Sequence, residues 1–472
     1  MKKRWNYIYL IFTCLLLLLI ISYTSCQQSR EVVHGYYVHE VDGETTEDEE
    51  LPEDVVEEED IPEDVELLDG EIYIGTEEVE ETEASEEATG EEARTEASEE
   101  GKASAPTASS QTDLLRKSAK ASAAEIKKEE KALGLTGKVS YYHYNQLSEN
   151  DKTAYRQILT GLKNHEYSFP VEVARADLHD IFYRVMYDHP ELFWVDNGYC
   201  YWDYSSNRNY VKVSPTYNRT ASEAKADQKK INKIINKIVK KASKQEKTYE
   251  KIKYVYKYLI RNTDYVANSP DNQNIYSTFI NKKTVCAGYT RATQILLQKM
   301  GISAIYVRGY TNDGGSHSWN IVKMGKKYYQ MDTTWGDPNY HHSTNAYIQK
   351  LPEELQYDYE YLLIDDKSMF KSRKQDTSLK LPSCTDNSKS FYRYNKRYFD
   401  SYGDKLKKSI RKNIKAGKNY WHGQMADKKS YQKFLSAVKN GLYADMVSDI
   451  KGGSRTTYYQ YFDDLYVIKL YY

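Results

Sequence analysis

Apolar residues recur at a helical period in several parts of this chain. Between Ile231 and Val239 they fall on one face of a helix, while lysines fill many other positions of residues 221–262. This spacing predicts a long basic helical region, whose lysines form a solvated face rather than a nucleic-acid patch. The same period predicts further helices at 111–134, 174–192, 404–416 and 429–442.

Alternating polar and apolar positions, rich in aromatic residues, predict strands elsewhere. Such stretches lie at 194–217, 390–399, 456–462 and 465–472. The last three, with two helices between them, predict a small α+β domain over residues 385–472. This domain holds 18 Lys and Arg, 8 Asp and no Glu. Its basic, tyrosine-rich character suits contact with an anionic cell-wall polymer, and the tyrosines equally suit a sheet core, so the sequence leaves both open.

Composition and charge indicate an unfolded segment beside the folded part. Of 472 residues, 40% are hydrophobic, and this figure includes 47 Tyr. Globular domains usually reach about 45–50% when Gly is counted and Tyr is not, and the same count gives about 35% here, since 47 Tyr are removed and 23 Gly are added. The net charge of −3 conceals a segregation, because residues 42–100 hold 29 acidic residues and the single basic residue Arg94. We therefore predict an acidic disordered linker over 27–110, which acts as a spacer, as a cover for the basic body, or as a plain linker.

The N-terminus has the features of an export signal. Basic residues at 2–4 precede an apolar stretch of 14 residues, 8–21, which fits a signal-peptide core and is too short to span a bilayer. Small residues then lead to Cys26, as in bacterial lipoproteins, although Tyr23 departs from that pattern. We predict a signal peptide over 1–26 with lipidation of Cys26; an ordinary secretory signal and an uncleaved anchor are the alternatives. The protein is then expected on the extracellular face of the membrane or secreted.

A cysteine at the start of a helix is the first sign of chemistry. Cys286 comes directly before a helical pattern that Gly301 ends. Unpaired amides and the helix dipole favour negative charge at that position, which lowers the pKa of a thiol and favours the nucleophilic thiolate. A cysteine there is also compatible with a small buried residue, so this feature alone does not define a site.

A predicted β-hairpin places an imidazole beside a carboxylate. Residues 325–326, Gly-Lys, form a two-residue turn suited to type II′, which fixes the register of strands 317–324 and 327–332. In this register His317 lies diagonal to Asp332, within reach of their side chains. A carboxylate beside a histidine fixes its tautomer and stabilises the imidazolium, which is what a cysteine nucleophile requires of its base.

These two segments, VCAGYTRATQILLQKMGI at 285–302 and HSWNIVKMGKKYYQMDTTWGDP at 317–338, resemble the transglutaminase-like cysteine enzymes. The resemblance covers about residues 245–345. Two positions depart from the pattern of many bacterial members: Ala287 stands where Gln or Glu is common, and Gly336 where Asp is common. The resemblance implies an α+β fold with a papain-like core, in which a helix bearing Cys packs on an antiparallel sheet bearing His and Asp.

The resemblance also implies a mechanism. Cys286 would attack a carboxamide carbonyl, with His317 as base and Asp332 as its partner, and the acyl-thioester would pass to an amine or to water. The backbone amide of Cys286 would be one oxyanion donor, and the second is unassigned. Trp319 and Trp335 would line the substrate channel, or they are packing residues beside the hairpin.

Other patterns do not indicate a cofactor. The chain has no glycine-rich phosphate motif and no EF-hand loop, and His341 and His342 do not match a zinc-ligand spacing. We therefore expect neither a metal nor another cofactor. Outside the cell, Cys200 and Cys384 could form a disulfide that leaves Cys286 free, but the sequence does not decide the pairing.

The sequence thus predicts an exported thiol enzyme that acts on amide bonds of proteins or wall peptides, with hydrolysis favoured over amine transfer. The alternative is a catalytically inactive surface adhesin or wall-binding protein that uses its basic C-terminal domain. The expected partners are a protein or peptide substrate, the membrane through the lipid anchor, and an anionic wall polymer, with no nucleic acid. The predicted domains are 1–26 (signal peptide), 27–110 (acidic linker), 111–220 (helical, tyrosine-rich lead-in), 221–384 (catalytic domain) and 385–472 (small basic α+β domain).

Overall fold

The computed structural model describes residues 37–39, 122–137, 141–173, 177–204, 210–338 and 349–472, with side chains left out at 37–39 and 197–204. These residues divide into a first unit, which ends at Ala226, and a second unit, which begins at Asp227 and includes strand β1 (Tyr37–His39). Within these ranges no helix has the length and apolar character that a membrane crossing requires. The predicted signal peptide and Cys26 lie outside the described residues.

The first unit combines helices with a small sheet. Its elements are α1 (Ala123–Ala132), α2 (Tyr142–Asn145), α3 (Glu149–Lys163), β2 (Phe169–Val171), α4 (Leu178–Asp188), β3 (Val195–Tyr204), β4 (Val211–Tyr217) and the start of α5 (Ala221–Ser243). The strands form an antiparallel sheet in the order β2-β4-β3, and α3 packs against α4. Ser122 caps α1 in a capping box with Glu125, and α4 ends just before Pro190, which cannot continue a helix.

The second unit begins with basic helices and a mixed core. Residues 221–262 form two helices, because the helical conformation is interrupted between Ser243 and Thr248. Ile231, Ile235 and Ile238 are buried, as predicted. The further elements are α6 (Thr248–Asn262), β5 (Asp264–Tyr265), a π-helical turn (Ser277–Asn281), β6 (Lys283–Thr284), α7 (Cys286–Lys299), β7 (Ala304–Thr311), β8 (Ser316–Met324), β9 (Lys327–Met331), 3₁₀ turns (Glu353–Leu355 and Tyr359–Tyr361), α8 (Asp366–Met369) and β10 (Arg373–Gln375).

An antiparallel sheet carries this core. Its strand order is β10-β7-β8-β9, and helix α7 packs against β7 and β8. Leu296 of the helix and Val307 and Ile321 of the strands are fully buried in this core. The predicted α+β class, with a cysteine-bearing helix on an antiparallel sheet, is confirmed.

The C-terminal part of the second unit has helices and a sheet of its own, so its predicted α+β character is confirmed. Its elements are α9 (Phe391–Tyr394), β11 (Tyr398–Phe399), α10 (Asp404–Lys415), β12 (Tyr420–Met425), α11 (Lys428–Lys439), α12 (Leu442–Lys451), β13 (Thr457–Phe462) and β14 (Val467–Tyr471). The sheet order is β1-β13-β14-β12-β11. Helices α10 and α11 pack against β12, and Trp421, Phe434 and Ile468 belong to the shared apolar core.

One strand prediction in this region is wrong. Residues 390–399 form the short helix α9 and then the two-residue strand β11. The chain turns between them at Lys396, which has a φ of 58°, a left-handed conformation that a continuous strand cannot contain. The aromatic residues suggested alternation, but the buried pair is the consecutive Phe391 and Tyr392. Strand β12 and helix α12 were not predicted.

Candidate active site

Cys286 lies at the first position of helix α7. The preceding Val285 is extended, with φ −118° and ψ −174°, and the amides of Gly288 and Tyr289 donate to its carbonyl oxygen at 3.0 and 3.2 Å. A Cβ added to Gly288 would come within 1.8 Å of Thr284 Oγ1, so glycine lets the first turn pack on β6. The predicted helix-start position is confirmed, and Cys286 remains partly exposed.

The hairpin has the register that the sequence predicted. Met324 pairs with Lys327, and Gly325 takes a φ of 62°, as the first central residue of a type II′ turn requires. His317 Nε2 lies 2.7 Å from Asp332 Oδ2, so the predicted diagonal contact is present. Both side chains are buried, which shields their interaction from water.

Polar contacts hold α7 against β8 and thereby fix the thiol relative to the imidazole. Thr290 Oγ1 lies 3.1 Å from Ser318 Oγ, and Asn320 Nδ2 donates to the Thr290 carbonyl oxygen at 3.2 Å. His317 and Ser318 both act on Cys286 and lower the pKa of its thiol. Because Nε2 of the ring faces Asp332, Nδ1 is the nitrogen available to the thiol.

The pKa of the Cys286 thiol is lowered. Burial alone would raise this pKa, but the hydrogen bond and the charge of His317, together with Ser318, outweigh burial. The other free thiol with a described side chain, that of Cys384, is buried, and burial raises its pKa well above the ordinary value. The two thiols therefore differ in the property that controls nucleophilicity.

Asp332 is fully buried and held from several directions. Its amide donates to the Tyr361 carbonyl oxygen at 3.0 Å, and its Oδ1 accepts from the Trp335 amide at 3.1 Å. Its Oδ2 accepts from His317 and also from Arg373 Nη1. A buried carboxylate with this set of donors is fixed in one orientation.

Arg373 is the residue that sequence reasoning missed. It begins β10, pairs with Thr311 of β7, and is fully buried. Burial lowers the pKa of its guanidinium to about 9, which still leaves it charged at neutral pH. No motif marks it, because a three-residue strand at this distance from Asp332 along the chain reaches the site only through the tertiary fold.

The two tryptophans occupy different environments. Trp319 is 1% exposed, its Nε1 donates to Gln330 Oε1 at 2.6 Å, and its ring stacks on His317 at 5.9 Å. Trp335 is partly exposed, with its ring centroid 6.0 Å from that of His317. Trp319 therefore packs under the imidazole, whereas Trp335 lies where a substrate can reach it.

Gly336, one of the departures from the family pattern, has a steric reason. A Cβ at this position would come within 1.9 Å of Tyr256 Oη, which donates to the Asp358 carbonyl oxygen at 2.6 Å. The Asp358 amide in turn donates to the Gly336 carbonyl oxygen at 2.9 Å. The bare backbone of Gly336 thus lets this loop close behind Trp335.

Other predicted residues do not join the site. His341 and His342 lie outside the described residues. Cys384 is a free thiol in a buried position, and the side chain of Cys200 lies outside the described residues.

A thiol at a helix N-terminus, packed on an antiparallel sheet that presents an imidazole and a carboxylate, defines the papain-like class of thiol-enzyme folds. Residues 217–333 match the family model of the transglutaminase-like superfamily. This chain therefore contains a transglutaminase-like domain, and the resemblance inferred from the two motifs is confirmed.

Two solved structures are similar to part of the chain. One is the crystal structure of a TGase, 16% identical, with a TM-score of 0.22; the match covers 35% of this chain and 50% of that one. The other is a candidate cysteine protease from Cytophaga hutchinsonii, 15% identical, with a TM-score of 0.21, and here the match covers 29% of this chain and 61% of that one. No curated protein matches the chain.

Proposed function

We propose that this protein is a thiol enzyme that acts on amide bonds of proteins or peptides, with Cys286 as nucleophile, His317 as base and Asp332 as the group that orients the base. One observation carries the proposal: the partly exposed residue Cys286 has a thiol whose pKa is lowered by His317, and Nε2 of this imidazole lies 2.7 Å from the buried carboxylate of Asp332. The difference between Cys286 and the buried Cys384, whose thiol pKa is raised, supports it.

In this proposal the Cys286 thiolate attacks the carbonyl carbon of a carboxamide. The carbonyl electron pair moves to oxygen, where the amide of Cys286 at the start of α7 donates to the oxyanion. As the tetrahedral species collapses, the C–N bond breaks, and His317 gives its proton to the leaving amine. The acyl group is then a thioester on Cys286. Water or an amine attacks its carbonyl carbon while His317 accepts the proton, and the C–S bond then breaks to release the product and the Cys286 thiolate.

Hydrolysis is the outcome we propose, rather than transfer to an amine. Partial exposure of Cys286 supports this, because water that reaches the thioester competes with any amine. Trp335, partly exposed beside His317, would line the acyl channel. We further propose that a lipid on Cys26 anchors the protein at the extracellular face of the membrane. There it would act on proteins or wall peptides, close to anionic wall polymer.

Mass spectrometry of reaction products tests the activity. The full chain, Cys286→Ala and the matched control Cys384→Ala are incubated with a mixed protein substrate and a tagged primary amine. We expect new peptide termini with the wild type and Cys384→Ala, and none with Cys286→Ala. Tag attached to glutamine would indicate that the reaction is amine transfer rather than hydrolysis. Identical spectra for all three proteins would overturn the proposal and turn attention to a wall-binding role for the C-terminal domain.

Alkylation tests the thiol without a substrate. Iodoacetamide should label Cys286 at neutral pH at least about tenfold faster than Cys384, because the thiolate is the reacting species. Equal labelling in the native state would contradict the proposed role of His317.

A further inference from the structure

We propose that Arg373 is a positioning residue for this site, which keeps Asp332 charged and fixed so that Asp332 can orient His317. This inference rests on the proposed catalytic function and adds a residue that neither the motifs nor the family match contains, since the match ends at residue 333.

Shared contact with one oxygen is the central observation. Arg373 Nη1 donates to Asp332 Oδ2, the same atom that faces His317 Nε2 at 2.7 Å. Both Arg373 and Asp332 are fully buried. An ionised carboxylate without water is costly unless a cation and further donors compensate it. Arg373 supplies a cation that is charged at neutral pH, whereas His317 is charged only when protonated.

Three aromatic rings hold the guanidinium in place. Its carbon lies 4.1 Å from the ring centroid of Trp335, 4.5 Å from that of Tyr361 and 5.7 Å from that of Trp319. Cation–π contacts of this kind favour a charged guanidinium and restrict its rotation. The rings of Trp319 and Trp335 also contact His317. Arginine, carboxylate and imidazole therefore share one aromatic enclosure, so that movement of Arg373 displaces Asp332.

The charge of Arg373 also acts on the thiol and the imidazole. Asp332 on the hairpin and Tyr361 of the 3₁₀ turn contact this cation, and Asp464 between β13 and β14 and Tyr256 of α6 interact with it electrostatically. Asp332 connects this cation to His317, and His317 connects it to Cys286. A nearby cation favours the thiolate and disfavours the imidazolium, so its removal should move both limbs of a pH–rate profile to higher pH.

Two substitutions in the full chain separate charge from packing. Arg373→Met removes the charge and keeps an apolar side chain, while Arg373→Lys keeps the charge without the planar fork. We expect Arg373→Met to lower kcat by about 10²-fold with KM within about threefold, since a triad carboxylate alone contributes on the order of 10⁴-fold. Arg373→Lys should recover kcat to within about tenfold of the wild type.

Alkylation of Cys286 by iodoacetamide across pH gives a readout that a merely structural role would not move. We expect the midpoint for Arg373→Met to rise by about one pH unit, and that for Arg373→Lys to stay near the wild type. This measurement needs no turnover. If Cys286→Ala kept full activity the proposed function would fail, yet the alkylation midpoint would still report whether Arg373 acts on this thiol.

A double-mutant cycle tests whether Arg373 acts through Asp332. In the Asp332→Asn background, Arg373→Met should cost less than about threefold in kcat, because its target is already neutral. An equal cost in both backgrounds, or an unchanged alkylation midpoint in Arg373→Met, would overturn the proposal. Circular dichroism checks folding; if the Met variant does not fold, the same cycle with Arg373→Lys decides, and an equal loss in both backgrounds would again overturn it.

Discussion

A second buried pair of imidazole and carboxylate lies in the first unit. His189 Nδ1 lies 2.7 Å from Glu191 Oε1, the same separation as between His317 Nε2 and Asp332 Oδ2. The difference lies in the other nitrogen. His317 faces the thiol of Cys286, whereas Nε2 of His189 has no hydrogen-bond partner among the described residues, and its ring stacks on Tyr141 at 4.8 Å.

The cation behind each carboxylate also differs. Lys163 Nζ approaches Glu191 Oε1 at 3.9 Å, a long contact, whereas Arg373 donates directly to Asp332 within an aromatic enclosure. The comparison teaches that a buried imidazole–carboxylate pair is a structural unit by default. In the proposed mechanism such a pair becomes a base when a second element, here α7, brings an acidic group to the other nitrogen.

The largest expected effect comes from removing each imidazole in turn. His317→Gln should lower kcat/KM by about 10⁴-fold, because the thiol loses its base while the glutamine side chain still fills the space. His189→Gln should change kcat/KM of the folded protein by less than about threefold. Steady-state kinetics on the substrate identified by mass spectrometry makes the comparison. Equal losses in the two variants would show that the pair in the first unit also contributes to turnover.

The second prediction concerns the pH dependence of the free energy of unfolding and involves two carboxyl groups of the first unit. Burial raises the pKa of Asp188 to about 7, although hydrogen bonds from His143, Tyr144 and Tyr155 oppose it. Between about pH 4 and 7 the native state therefore holds a proton that the unfolded chain has lost, and stability falls as pH rises through this window by up to about 4 kcal/mol.

Glu191 has the opposite linkage. Burial alone would raise its pKa, but His189 and Lys163 outweigh burial and lower it to about 2. Its stabilisation is present above about pH 4.5 and is lost as pH falls towards 2. Urea unfolding of the wild type, Asp188→Asn and Glu191→Gln across pH measures both. A difference between wild type and Asp188→Asn that does not change from pH 4 to 7 would contradict the assignment.

The third prediction tests the structural role of His189. His189→Gln should lower the free energy of unfolding by about 2–3 kcal/mol, because Glu191 keeps its burial but loses its close partner. Glu149→Gln is the control: this side chain is 76% exposed in its ion pair with Lys152, so its loss should cost less than about 1 kcal/mol. Urea midpoints compare the two variants. If His189→Gln lowered the free energy of unfolding no more than the control does, the pair of His189 and Glu191 would have no structural role.

The geometry of the hairpin and the helix start was predictable from the sequence because both depend on local chemistry. The Gly-Lys turn at 325–326 fixes the pairing of β8 with β9, and this register alone brings His317 to Asp332. Cys286 was placed at the start of α7 by the helical spacing that follows it.

Features that depend on tertiary contact could not be predicted. Arg373 reaches Asp332 because the short strand β10 pairs with β7 across the sheet, and a three-residue strand carries no sequence pattern of its own. The error at 390–399 is similar in origin. Aromatic residues favour a strand there, but the left-handed turn at Lys396 and burial of the consecutive pair, Phe391 and Tyr392, favour a helix.

The smallest expected effects separate the two tryptophans beside His317. Trp319→Phe should lower the free energy of unfolding by about 1–2 kcal/mol, because the buried Gln330 Oε1 loses the Nε1 donor at 2.6 Å, and kcat/KM should change little. Trp335→Phe should instead raise KM by about two- to threefold with little effect on stability, since this ring is partly exposed and a phenyl ring can still cover Arg373.

Kinetics and urea unfolding of both tryptophan variants distinguish a channel wall from a packing residue. If Trp319→Phe raised KM and Trp335→Phe did not, substrate would approach His317 from the side of β7. On that side the backbone of Gly309 packs against the Trp319 ring. The contrast with the first unit would then be clearer. The Tyr141 ring stacks on His189 and covers that imidazole, whereas the Trp319 ring, stacked on His317, would contact the bound acyl group.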